Sequence, residues 1–146
     1  MQLRAGQILG LATLPLESSD SISSMATDGA RILYNPSFCL QAIRNVCSSQ
    51  TSTGECANAL LLAMLAHELY HAHHHMLRKP GPDLELEADQ AAGFVLGRAG
   101  VSAEHFLEVL RSFVETREHP AAAVRERAVR RGYARGQAEL ILAARR

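Results

Sequence analysis

The stretch Ala57-Asn58-Ala59-Leu60-Leu61-Leu62-Ala63-Met64-Leu65-Ala66 is apolar but for Asn58 and leads without a breaker into His67-Glu68-Leu69-Tyr70-His71. A run apolar on every side reads as a buried helix, so the rest of the chain has to wrap around it. The pentapeptide carries that helix onward, and unpaired imidazoles and a carboxylate taken into the interior would be costly. Residues four apart on a helix share a face. His67 and His71 can therefore grip one metal ion together. Glu68, one position round, can reach a water on that ion without binding the ion itself. This is the H-E-x-x-H pattern that zinc-dependent peptide hydrolysis requires.

Such a site needs a third ligand. After His71 come His73, His74 and His75, then Met76-Leu77-Arg78-Lys79 and the breaker Pro80-Gly81-Pro82. Asp83 is a good N-cap, residues 84–96 read as the next helix, and Gly100 as its C-cap. Glu85 and Asp89 are four apart and project from one face of that helix. A carboxylate from Glu85 completes a His-His-Glu set with an open fourth position. Only thirteen residues separate His71 from Glu85. Were the first helix to run on to Lys79, about 12 Å of rise would have to be undone by a few residues of about 3.3 Å each. The helix is therefore expected to end near His73 to His75. A ligating imidazole usually donates its second N–H to a carboxylate, and Asp89 is placed to accept that bond from His67. Glu87 competes with Glu85 as third ligand, but its side chain points about 160° away from the face that Glu85 and Asp89 share.

His-Glu-Leu-Tyr-His followed by Glu85-Leu86-Glu87-Ala88-Asp89 resembles the gluzincin metallopeptidases, above all the group of HtpX-type heat-shock proteases and CaaX prenyl proteases. Members carry H-E-x-x-H and then E-x-x-A-D. The resemblance implies that Glu85 is the third zinc ligand and that Asp89 supports the ligands from behind. Arg117-Glu118-His119-Pro120 with Arg125 and Arg127 is similar to the H-P-x-x-x-x-R segment of that group, and Ala30 to Asn35 to its short strand before the active-site helix. The resemblance covers residues from about 25 to 135. The chain spaces its two motifs more tightly than most members.

The chain of 146 residues bounds one domain, 1–146. The fold class read from it is α+β, mostly α: a zincin-like domain with a small N-terminal β-hairpin or sheet packed on the metal helix. The longest apolar run is about half the roughly 20 residues of a membrane span, and the N-terminus makes a poor signal peptide. A cytoplasmic location is expected, or a periplasmic or secreted one if a leader has been removed. Formal net charge is zero, so the global balance recruits neither nucleic acid nor anionic lipid. Residues 121–146 hold seven Arg against two Glu, read as solvated helix faces rather than a nucleic-acid groove. Cys47 and Cys56 could pair in an oxidising compartment, but buried free thiols are the commoner state. No C-x-x-C pair offers them to zinc.

Along the chain, residues 7–16 read as a strand or a short helix. Asp28-Gly29 turns a hairpin between Ser24-Met25-Ala26 and Arg31-Ile32-Leu33-Tyr34. Pro36 to Cys47 forms a helix with Phe38, Ile43 and Val46 inward, and the metal helix starts near Glu55 after a Ser/Thr loop. Ser102 caps a helix over Ala103 to Thr116, with Phe106, Leu107, Leu110 and Phe113 or Val114 inward. Pro120 starts another, which Gly132 to Gly136 is expected to break before a last one ending at Ala144. His73 to His75 could hold a second metal, though a plain polar helix end is the simpler reading.

The chemistry expected is a zinc metalloendopeptidase with one Zn²⁺ per chain on His67, His71 and Glu85. Glu68 acts as general base on the metal-activated water, with a peptide or protein as substrate. Transition-state charge needs a further donor, for which His119 and Tyr133 are the candidates. An exposed edge of the strand 30–34 would bind substrate as an added strand. The alternative is a zinc-stabilised binding or regulatory module with little hydrolysis.

Overall fold

The apolar run is the buried axis of the molecule, and the other elements are arranged around it. The computed structural model describes residues 1–48, 52–74, 81–113, 115–116 and 119–145. In chain order these form α1 (Gln2–Leu9), β1 (Leu16–Ser18), β2 (Met25–Thr27), β3 (Ile32–Tyr34), α2 (Pro36–Cys47), α3 (Thr53–His74), α4 (Pro82–Ala99), α5 (Glu104–Ser112) and α6 (Ala122–Ala143). The class is thus α+β and mostly α, with six helices and one three-stranded sheet among the described residues. None of these helices is long and apolar enough to cross a membrane.

α3 carries the run and the pentapeptide as one helix, with Leu60, Ala63, Ala66 and Leu69 wholly buried. It is helical through His74, the last residue described before 81, so the expected end near His73 to His75 falls at the boundary of the described residues. The histidines past the pentapeptide have local partners. A ring nitrogen of His73 meets the Ala12 carbonyl, and His74 meets the Tyr70 carbonyl and stacks on the Tyr70 ring. His75 and residues 76–80 lie outside the described residues, as do Val114, Arg117, Glu118 and most of the Ser/Thr loop before α3.

The hairpin forms as expected. β2 and β3 pair antiparallel with Met25 beside Tyr34 and Thr27 beside Ile32. Asp28 Oδ1 accepts the N–H groups of Ala30 and Arg31, and Gly29 takes φ +88°, which favours glycine. A third strand, β1, runs parallel to β3 on its other side. The sheet seats on α3 through Ile32, wholly buried against Leu65 and Leu69. Since the order is β1-β3-β2, the 30–34 segment has no exposed edge, and the expectation that it would receive substrate is corrected. Residues 7–16 are neither one strand nor one helix: α1 stops at Gly10 (φ +68°) and an extended segment follows into β1.

α2 forms with the expected bounds, capped by Asn35, whose side chain accepts the Phe38 N–H. Val46 is buried, and Phe38 and Ile43 pack partly buried against the same core. Its end meets the start of α3, where Cys47 and Cys56 form a disulfide with Cα atoms 5.7 Å apart. The free-thiol reading of this pair is therefore corrected. α2 and α3 pack against one another and bring the two positions into bonding range, which nine residues of separation do not reveal. Cys39 remains a buried free thiol. α4 begins at Pro82 rather than at a capping Asp83, because Pro suits the first helical position. α5 is shorter than the span to Thr116, with Phe106, Leu107 and Leu110 buried and Phe113 exposed just beyond it. Gly100 closes α4 in the left-handed conformation, as read.

The largest departure is α6, which passes through Gly132 and Gly136 without a break. Gly93 and Gly97 of α4 face Gly132 and Gly136 of α6, each pair four residues apart. A Cβ at Gly132 would fall on the Gln90 carbonyl, and one at Gly93 on the Val129 carbonyl, closer than non-bonded atoms can approach. The glycines are there so that two backbones can touch, and this contact outweighs their poor helix propensity. Gly132→Ala should therefore lower stability by at least about 2–3 kcal/mol, because helix backbone must move. Gly54→Ala, at a helical glycine with nothing within 4 Å of an added Cβ, should be neutral or stabilising by up to about 1 kcal/mol. Denaturant unfolding of the two variants measures the contrast.

Candidate metal centre

Three side chains from two helices meet at one point. His67 and His71 project from the same face of α3, their Nε2 atoms 3.0 Å apart. Glu85, in the first turn of α4, brings Oε1 to 2.9 Å from His71 Nε2 and Oε2 to 3.7 Å from His67 Nε2. One ligand atom from each lies within 4.8 Å of the others, so the group could hold a metal ion. Ligands held about 2.0–2.1 Å from a tetrahedral ion sit about 3.3 Å apart, and these separations of 2.9–3.7 Å bracket that value. His67 and Glu85 are each 8% exposed, so the ligand atoms sit in the protein rather than on its surface.

Charge points the same way. Glu68, Glu85 and Asp89 crowd this region against one buried guanidinium, that of Arg125. Ligating imidazoles are neutral, so carboxylates outnumber the fixed cation here and the centre can accommodate a metal ion. Burial opposes the ionised form of Glu85, but the His71 hydrogen bond and the charges of His67, His71 and Arg125 hold its pKa down at about 2. Burial pushes Glu68 up to about 7, opposed by His67 and reinforced by the Glu85 charge. Burial likewise opposes ionisation of Asp89, yet hydrogen bonding to Arg125 and the His67 contact keep it below the usual carboxylate range.

Asp89 is wholly buried one turn beyond Glu85. Its Oδ1 lies 3.1 Å from His67 Nδ1, a hydrogen-bond distance without hydrogen-bond alignment, and Nδ1 has no other partner. What the motif spacing does not reveal is the other side of Asp89. Arg125 of α6, 5% exposed, donates from Nε and Nη2 to its two oxygens at 2.7 and 2.9 Å. The one signal in the sequence is the H-P-x-x-x-x-R resemblance, which picks out Arg125 without a role. Glu87, the competing ligand, faces elsewhere and accepts a hydrogen bond from the Tyr70 hydroxyl.

The two candidate donors separate. His119 reaches the centre, with Nδ1 3.0 Å from Glu85 Oε2 and its side chain half-exposed. The His119 N–H bonds to Thr116 Oγ1. Tyr133 does not. It lies eight residues past Arg125 on α6, about 12 Å along the axis, and its hydroxyl accepts from Gln137. Tyr133 is accordingly removed from the site.

A cleft of about 400 Å³ opens on the centre. His67, Glu68, His71, Glu85, His119 and Arg125 line it together with Ser24 and the residues of β2. Phe38, Met64, Phe106, Val109 and Phe113 add an apolar lining that the motif spacing gave no reason to place there. Phe38 and Phe113 meet with ring centroids 6.2 Å apart. Compared with known proteins, the chain matches no family model, no curated protein and no solved structure.

The competition between Glu85 and Glu87 has a direct measurement. Glu85→Gln should weaken divalent-metal binding by more than about 100-fold, and Glu87→Gln should leave it within about twofold of the parent, by chelator competition.

Proposed function

We propose that this protein is a zinc-dependent endopeptidase of the gluzincin type, with the α-rich domain and its small sheet forming a zincin-like scaffold. The observation that carries this reading is that Glu68 shares one cleft with the His67–His71–Glu85 group. A structural metal site needs no such carboxylate and tends to be closed by four protein ligands. Two imidazoles and one carboxylate suit zinc. A zinc ion held by His67, His71 and Glu85 supplies Lewis-acid polarisation of the scissile carbonyl and acidifies the attacking water.

The chain's own residues do the rest. Ser24 O accepts the Asn35 N–H, and with the β2–β3 register this turns the backbone groups of Met25 and Thr27 away from β3. β2 is an edge strand on the cleft, so an extended peptide can bond to Met25 and Thr27 as an added strand. Glu68 removes a proton from the attacking water and delivers it to the leaving amine as the C–N bond breaks. His119, which lines the same cleft, is the side chain assigned to donate to the developing oxyanion.

The test is Glu68→Gln, assayed on unstructured peptides with metal content measured in parallel. Cleavage should fall by about 10²–10⁴-fold with zinc retained at one per chain. Zinc bound in both forms with no Glu68-dependent cleavage of any peptide would instead make the domain a zinc-stabilised binding module. Stripping the metal with a chelator should abolish cleavage, and zinc should restore it.

A further inference from the structure

The bond between Asp89 and Arg125 joins α4 to α6, thirty-six residues apart in the chain, and its placement exceeds what a structural ion pair requires. The planar guanidinium takes both oxygens of Asp89, which fixes the plane of that carboxylate as a single-point contact could not. The same Nη2 lies 3.4 Å from Glu85 Oε2, so one side chain braces the two α4 residues that approach the imidazoles. On the far side of Asp89 sits His67 Nδ1, buried and with no other partner.

We infer that Arg125 is a positioning residue of the metal centre, holding Asp89 so that His67 carries its proton on Nδ1 and presents Nε2 as the ligand atom. The inference rests on the reading of His67, His71 and Glu85 as metal ligands. Its physical basis is that a neutral imidazole has one N–H, and the acceptor it faces decides which nitrogen carries it. With Asp89 locked in place, Nδ1 is the protonated nitrogen, and the Nε2 lone pair faces His71 and Glu85. Without Arg125, Asp89 is a wholly buried carboxylate with no compensating cation. It then turns out of place, and His67 can adopt the tautomer whose Nε2 is blocked. Lysine substitutes only in part, because an ammonium supplies the charge without the two parallel N–H groups.

The experiment compares the wild-type chain with Arg125→Lys and Arg125→Met in two measurements. The first is the His67 tautomer in the metal-free protein, read from ring-nitrogen chemical shifts by NMR in mildly alkaline solution. The second is zinc affinity by chelator competition. In the wild type His67 should be protonated at Nδ1. In Arg125→Met the Nε2–H form should appear, and zinc affinity should fall about 10- to 100-fold. Arg125→Lys should fall between them, and it decides the question by itself should the Met variant fail to fold. An unchanged tautomer together with zinc affinity within about twofold of the wild type overturns the inference while leaving the ligand assignment standing. A wild-type chain that takes up no zinc overturns the ligand assignment instead, and the tautomer comparison still decides the role of Arg125.

Discussion

The contact between α4 and α6 is the constraint on which the rest depends. Four glycines let these two helices approach with backbone against backbone, closer than the 8–10 Å that side chains usually impose. α6 is otherwise rich in arginine, and only a close approach can bring one of those side chains into the interior. Seated this way, Arg125 reaches Asp89 with almost no exposure of either group. A buried pair of this kind tolerates no halfway state. The paired form offsets the cost of taking both charges out of water, whereas removing one partner costs about 3–5 kcal/mol. The glycine seam and the ion pair therefore act together: the seam sets the distance, and the pair fixes the orientation.

The same arrangement explains how a short helical domain can keep so many carboxylates next to its core. Glu85 and Asp89 stay ionised because imidazoles and a guanidinium surround them, and Glu68, lacking a hydrogen bond of that strength, is the one whose pKa rises. Each helix has a separate task. α3 supplies two imidazoles and a carboxylate beside them, α4 the third candidate ligand and its neighbour, and α6 the balancing charge. The sheet contributes no ligand. It covers the far part of α3 through Ile32 and offers β2 to the cleft.

Legibility in the sequence follows the range of each interaction. Everything set by spacing along one helix could be read: the shared face of His67 and His71, that of Glu85 and Asp89, and the outward turn of Glu87. The hairpin at Asp28-Gly29 followed from turn chemistry. What could not be read depends on contacts between distant segments. Gly132 and Gly136 look like breakers until Gly93 and Gly97 are found opposite them. Cys47 and Cys56 look like ordinary buried thiols until α2 and α3 are folded against one another. Tyr133 and His119 are equal candidates on sequence, and only the path of α6 separates them, since it carries Tyr133 about two turns beyond Arg125.

The choice between hydrolysis and mere metal-assisted binding turns on where Glu68 sits. A helix that held a metal for stability alone would gain nothing from a carboxylate beside the ligands, and burial there makes it costly to ionise. Such a position is retained at low cost only where it has a further use. The mixed lining of the cleft bears on the same point, since His67, Glu68, His71, Glu85 and His119 share it with Phe38, Phe106, Val109 and Phe113. On the proposed reading, an extended peptide on β2 would bring both a backbone carbonyl and apolar side chains to that cleft. A mixed lining therefore suits a peptide better than it suits a purely polar or a purely apolar ligand.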